Sequence, residues 1–263
     1  SYISTATQAL TVSEQTGLHG KPTVHASKTW QELLDASTAH PAGYGYMYAK
    51  GTAGWNMVAA TKYVTVSTLL SGLTLDNADS IIVSAGDGIP KVIPTWGQLN
   101  GDLYFFPNAV NSTAGGNVEG KTTVPAAIAI DWASGAVNTA NADIDTAGEA
   151  LTAIAAKAYN STSLRFVYGS LESDYTNASG PTVTGNRLWS GVTNISLAKT
   201  PAKYSGGSII EAPLADTANN NREPYYTYGA VYDSENQEVS ISASGLVPFT
   251  KDADGLDDWV GIG

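Results

Sequence analysis

Not one of the 263 residues is a cysteine. The fold must therefore be closed by buried apolar surface and hydrogen bonds alone, without disulfides. Thiolate metal sites and thiolate nucleophiles are excluded at the same time. Hydrophobic residues make up 43% of the chain, enough at this length for a sizeable core. The length suits one large domain, or one domain with an appendage. Apolar stretches are short, as in Val124–Ile130, which ends at Asp131. None approaches the roughly 20 residues of a membrane helix, so no membrane insertion is expected.

The charge balance narrows the partners. There are 13 Lys and Arg against 24 Asp and Glu, a formal charge of -11. Such a surface repels phosphate backbones and anionic bilayers, which argues against nucleic acid and membrane surfaces. Only 14% of residues are charged, so Ser, Thr, Asn and Gly must cover much of the exterior. That polar, uncharged, Tyr-rich composition points to an extracellular or cell-surface location, in a bacterium. Ser1–Leu10 shows no basic start followed by an apolar run, so no signal peptide is read there.

Local patterns predict an α+β protein of mixed β-sheets with a few helices. Residues 1–23 read as a polar, extended N-terminal segment with a turn at Gly17–Pro22. Thr29-Trp30-Gln31-Glu32 fits a capping box opening a short helix to about Ala36, broken by His40-Pro41-Ala42-Gly43. Tyr44–Tyr48 suits a strand, with Gly45 marking a bulge or a close contact. Tyr63–Val66 favours strand and runs into a helical turn over Ser67–Gly72. Ser80–Ala85, Val124–Trp132, Leu164–Tyr168 and Val192–Leu197 read as strands. Pro94–Leu99 reads as a short helix opening with proline. The clearest helix has Asp145 as N-cap and places Ala147, Ala150, Leu151, Ile154, Ala155 and Ala158 on one face. Asn108–Thr122 and Asp174–Arg187 read as loops. The character changes near residue 200. Beyond it, Tyr225–Tyr232 and Val239–Ala243 predict a hairpin, too small to stand alone. The expected organisation is thus 1–23, a main domain over 24–200, and a β appendage over 201–263 docked on it.

The order of these motifs resembles the molybdopterin-binding domain of the sulfite oxidase-like family over about residues 24–198. Thr65–Leu70 is similar to that family's "GVPLxxLL" segment, and Asp87-Gly88 to its strand-ending "DG". Ala129–Ala136 resembles its "AxxxNGxxL" strand, with Ala133-Ser134-Gly135 in place of the Asn-Gly turn. Leu164–Gly169 resembles "LRLVVPG", and Val192–Leu197 the closing strand. The resemblance implies the family fold. The family's molybdenum-ligating cysteine belongs in the Tyr44–Trp55 stretch, which here holds no thiol, and its Lys-Trp pair is replaced by Ser190-Gly191. The resemblance therefore speaks against the family reaction.

The family's cleft would be lined near Tyr46, Tyr48, Lys50 and Trp55. Aromatic rings with one cation suit a sugar or small aromatic ligand. The competing reading, which the residue types favour, is that these rings are packing residues of a strand. At the C-terminal end Asp252, Asp254, Asp257 and Asp258 around Gly255 look like a fragment of a calcium loop, although Thr250 and Gly261 stand where its first and last ligands belong. The alternative is a solvated acidic turn. His19, His25 and His40 form no metal motif. Ser170 lies in the nearest approach to a nucleophile elbow but lacks its second glycine. These readings predict a non-catalytic exported or cell-surface module, ligand-binding or structural, with an unknown small molecule or surface protein as partner and no cofactor. The alternative is an oxidoreductase domain holding a molybdopterin without cysteine ligation.

Overall fold

The structure, a computed structural model, describes residues 6–49, 55–109, 118–137, 146–176 and 188–200, and beyond them 208–209, 231–232, 250–251 and 257–258. They fall into two compact units, Ser1–Thr200 and Pro201–Gly263. In the first unit the chain runs through β1 (Gln8–Thr16), β2 (Thr23–Thr29), α1 (Trp30–Asp35), β3 (Thr38–Ala49), β4 (Trp55–Thr65), α2 (Val66–Leu69), β5 (Ser80–Ala85) and β6 (Pro90–Val92). It continues through α3 (Trp96–Leu99), β7 (Tyr104–Phe105), β8 (Thr122–Thr123), β9 (Ala127–Ala136), α4 (Ala147–Ala155), β10 (Tyr159–Val167), α5 (Glu172–Thr176) and β11 (Val192–Lys199). The class is mixed α+β, mostly sheet with few and short helices.

Two sheets and one helix stack as layers. The outer sheet has five strands in the order β2-β1-β11-β5-β6, and the middle sheet four, β10-β9-β4-β3. In the outer sheet β1 and β11 are parallel and the other neighbours antiparallel. Leu10, Val12, Ile81, Val83, Ile195 and Leu197 turn inward from the outer sheet. They share one core with Val64, Ile128, Ile130, Leu164 and Phe166 of the middle sheet. The opposite face of the middle sheet packs on α4 in a second core that includes Ala127, Ala129, Ala150 and Ile154. Strand β9 shows why the sequence folds this way. It reads Ala-Ile-Ala-Ile, and the two-residue period of a strand sends its small alanines toward the helix and its isoleucines between the sheets. Burying each isoleucine is worth about 1.5–3 kcal/mol.

Four helices start alike. Thr29, Thr65, Thr95 and Thr146 are N-caps, each accepting from the backbone N–H three residues on. The predicted box at Thr29 closes reciprocally, with Glu32 N to Thr29 Oγ1 at 3.2 Å and Thr29 N to Glu32 Oε2 at 2.7 Å. Thr146 and Glu149 form a second box, so the cap of α4 is Thr146 rather than the predicted Asp145. Pro94 precedes α3 instead of opening it.

Several expectations need correction. The N-terminal segment is not a separate lead-in, since β1 is an interior strand of the outer sheet. Its outward side chains are polar, which hid it. Helix α1 ends at Asp35 with Ala36 as its C-cap, close to the expected end, but the His40–Gly43 stretch read as its breaker is not a loop. It sits inside β3, where the register with β4 shifts between Ala39 and Tyr44. Gly45 marks a close contact rather than a bulge: a Cβ there would lie 2.7 Å from the Phe105 ring. Strand β4 begins at Trp55, well before the predicted Tyr63, because a strand covered on both faces lacks the alternation that signals one. Ala133-Ser134-Gly135, equated with a turn, is continuous strand paired with Met57–Ala59.

In the second unit β12 (Ser208–Ile209) pairs antiparallel with β13 (Val231–Tyr232), and β14 (Thr250–Lys251) with β15 (Asp257–Asp258). Of the predicted hairpin only Val231–Tyr232 lies within the described residues.

Candidate functional site

Strands β1 and β11 turn uncharged polar side chains to the outward face of the outer sheet. Strand period places Thr11, Ser13 and Gln15 of β1 there, with Asn194 and Ser196 of β11 and Ile82 and Ser84 of β5. Ser13 and Ser196 are each only 1% exposed, and Gln15 and Ser84 are also buried. A buried polar group needs a partner, and most of these have one across the strand pair. Ser13 Oγ donates to Asn194 Oδ1 at 3.1 Å, and Ser196 Oγ to Gln15 Oε1 at 2.9 Å. The Gln15 amide then donates to the carbonyls of Gly17 and Leu18, 3.0 Å each, and so draws the β1–β2 turn over the face. Gly20 allows that turn, because a Cβ there would lie 2.0 Å from the Thr16 carbonyl oxygen.

Between this turn and strands β5 and β11 lies a cleft of about 710 Å³, floored by Thr11, Gln15, Ile82, Ser84, Asn194 and Ser196. The turn contributes Leu18 and His19, and the β5–β6 turn contributes Gly86 and Gly88. No Asp, Glu, Lys or Arg is among the lining residues. Asp87, between the two glycines, is paired with Lys91 at 2.6 Å and accepts from Ile89 N at 3.0 Å, which holds its carboxyl below the usual range. The polar groups on the floor are uncharged, and Gln15, Asn194 and Ser196 are held by their own network. They can recognise hydroxyls and amides and offer no carboxylate, ammonium or guanidinium to an ion.

One end of β11 is secured by charge. Asp79, 1% exposed, accepts from Lys199 Nζ at 2.6 Å and from the N–H groups of Thr200 and Asp76, both at 2.9 Å. Burial raises the Asp79 pKa, but Lys199 and the two N–H groups outweigh it and leave the carboxyl below the ordinary 3.8. Lys199 Nζ also donates to the Thr74 carbonyl at 2.8 Å.

The residues proposed from the sequence lie elsewhere. Tyr46 is 0% and Trp55 3% exposed, both within the core under α4, so neither offers a surface to a ligand. The Tyr46 hydroxyl donates to the Pro125 carbonyl at 2.9 Å, and burial lifts its pKa well above 10.0. Tyr48 is half-buried and hydrogen-bonds the Arg165 guanidinium, which stacks 4.6 Å over the Trp132 ring. Lys50 lies outside the described residues. Tyr46, Trp55 and Phe105 fill this region as core residues.

Asp252 and Asp254 lie outside the described residues, and Asp257 and Asp258 are placed only by the backbone of β15. Among the described residues no group of three His, Asp or Glu is arranged to hold a metal. His19 lines the cleft, His25 Nε2 sits 3.2 Å from the Ser71 carbonyl, and His40 stacks on Tyr44 at 4.2 Å. Ser170 Oγ is buried without a hydrogen-bond partner, so no general base touches it. The cleft residues escaped the sequence reading, although the alternation in Thr193–Leu197 already put Asn194 and Ser196 opposite Ile195 and Leu197. Comparison with protein-family models, curated proteins and solved structures returns no match.

Proposed function

We propose that the chain is a non-catalytic module of an extracellular or cell-surface protein that binds an uncharged, hydroxyl-rich ligand, a neutral saccharide, in the cleft over β1, β11 and β5. One observation carries this reading: the floor of the cleft is rich in uncharged hydrogen-bonding groups, and no Asp, Glu, Lys or Arg is among its lining. An ionic ligand would lose its hydration there without a counter-charge. An anionic one would also meet the repulsion of a -11 chain. A purely apolar ligand would strip water from Thr11, Asn194 and Ser84 without replacing their hydrogen bonds. A neutral polyol satisfies all three conditions. The low-charge surface supports the location, and the motif order supports a sulfite oxidase-like scaffold turned to binding.

Immobilised neutral oligosaccharides, with sulfated and sialylated ones as controls, provide the test. Neutral glycans should be retained and the anionic set should not. Thr193→Trp, placed at an exposed cleft residue, should abolish retention without lowering the melting temperature. Equal retention by wild type and variant, or retention of the anionic set alone, would sink the assignment.

A further inference from the structure

We infer that the unit spanning Ser1–Thr200 is a mechanical link, built to resist force applied along the chain. The inference goes beyond ligand binding and holds whatever occupies the cleft. Its first and last strands, β1 and β11, are neighbours in the middle of the outer sheet and run parallel. Force passing along the chain pulls β1 toward its N-terminal end and β11 toward its C-terminal end. In a parallel pair these directions are opposite along one shared axis. The strands must slide past each other, and their ladder bonds are loaded together rather than opened one by one.

Three features reinforce this pair. Its register runs unbroken through six pairs, from Thr11↔Asn194 to Thr16↔Lys199, whereas every other ladder of that sheet has a register shift. Two side-chain rungs, the part-buried Ser13–Asn194 and the buried Ser196–Gln15, cross the same two strands, and Gly17 N adds a bond to the Lys199 carbonyl at 2.8 Å. Asp79, just before β5, holds the pulled end of β11 through Lys199 and Thr200 N and so anchors that strand to its other neighbour. Leu10, Val12, Ile195 and Leu197 are rooted in the core, so sliding would also drag apolar side chains out of their packing. The buried polar row thus has a second use besides lining the cleft.

Force spectroscopy on the full chain tests this, and the absence of native cysteine makes introduced thiols unique handles. One variant carries Ala6→Cys and Ala202→Cys and loads β1 against β11 in sliding. The other carries Ala78→Cys and Ala202→Cys. It pulls on adjacent ends of the antiparallel β5–β11 pair, where Ser80 faces Ala198, and peels that ladder open. At one loading rate the first geometry should give a peak unfolding force at least about twofold higher than the second, because forced unfolding reports the barrier along the pulled coordinate. Adding Ser13→Ala and Ser196→Ala should lower the first peak more than the second. Equal peaks in the two geometries, or a higher peak on peeling, would overturn the inference.

Discussion

The two sheets solve the same problem with different chemistry. The middle sheet is covered on both faces and held by shape, with alanine toward α4 and isoleucine toward the outer sheet. The outer sheet buries one face in that shared core and carries a row of satisfied neutral polar groups on the other. Apolar packing supplies free energy without direction, whereas hydrogen-bonded rungs supply register at modest net energy. The middle sheet should therefore dominate stability, and the outer sheet should dominate alignment and recognition.

Substitutions can break this comparison at graded cost. The largest effect is expected from Phe166→Ala between the sheets, at about 4 kcal/mol, read from the denaturant midpoint at constant slope. An equal loss from Ser196→Ala would put the two sheets on the same footing and refute the division. Asp79→Asn should cost about 2 kcal/mol at neutral pH, because it weakens charge-assisted bonds at the end of β11. The sign of its pH dependence follows from the lowered carboxyl. The folded state binds the proton less readily than the unfolded state does, so this stabilisation is present above the ordinary value of 3.8 and is lost as pH falls through the lower folded value. Wild type should then lose an increment of stability in acid that the Asn variant lacks, which urea titrations at stepped pH would show. Ser196→Ala should cost about 1 kcal/mol.

The smallest effect concerns Tyr63, whose pKa burial and the neighbouring Tyr44 push up to about 12. The unfolded chain ionises this phenol near 10.0, so stability should decline as pH rises between those two values. Tyr63→Phe should flatten part of that decline. An unchanged alkaline profile in the variant would show that the phenol is not the group responsible.

The same contrast governs what could be read from the residues alone. Strand β5, the helix start at Thr29 and the face of α4 were legible because caps and period are local properties. Strand β1 was not, since Ser13 and Gln15 look like surface residues until β11 is known to lie beside them. Tyr46 and Trp55 drew attention because aromatic rings serve cores and ligand sites equally, and only burial separates the two. The cleft needed three strands distant in sequence to be brought together. A side chain such as Asn194 gives no sign of that partnership.

The placement of β11 has a consequence for how the chain matures. Until Lys199 leaves the ribosome, β1 and β5 have no strand between them, and the outer sheet exists only as two open-edged halves. The most sequence-distant pairing in the unit is thus the last that can form. Pairing of strands so far apart in sequence is the kind of contact that slows folding. A chain cut short before Val192 should leave β1 and β5 without the strand that joins them, their apolar faces lacking Ile195 and Leu197 as neighbours.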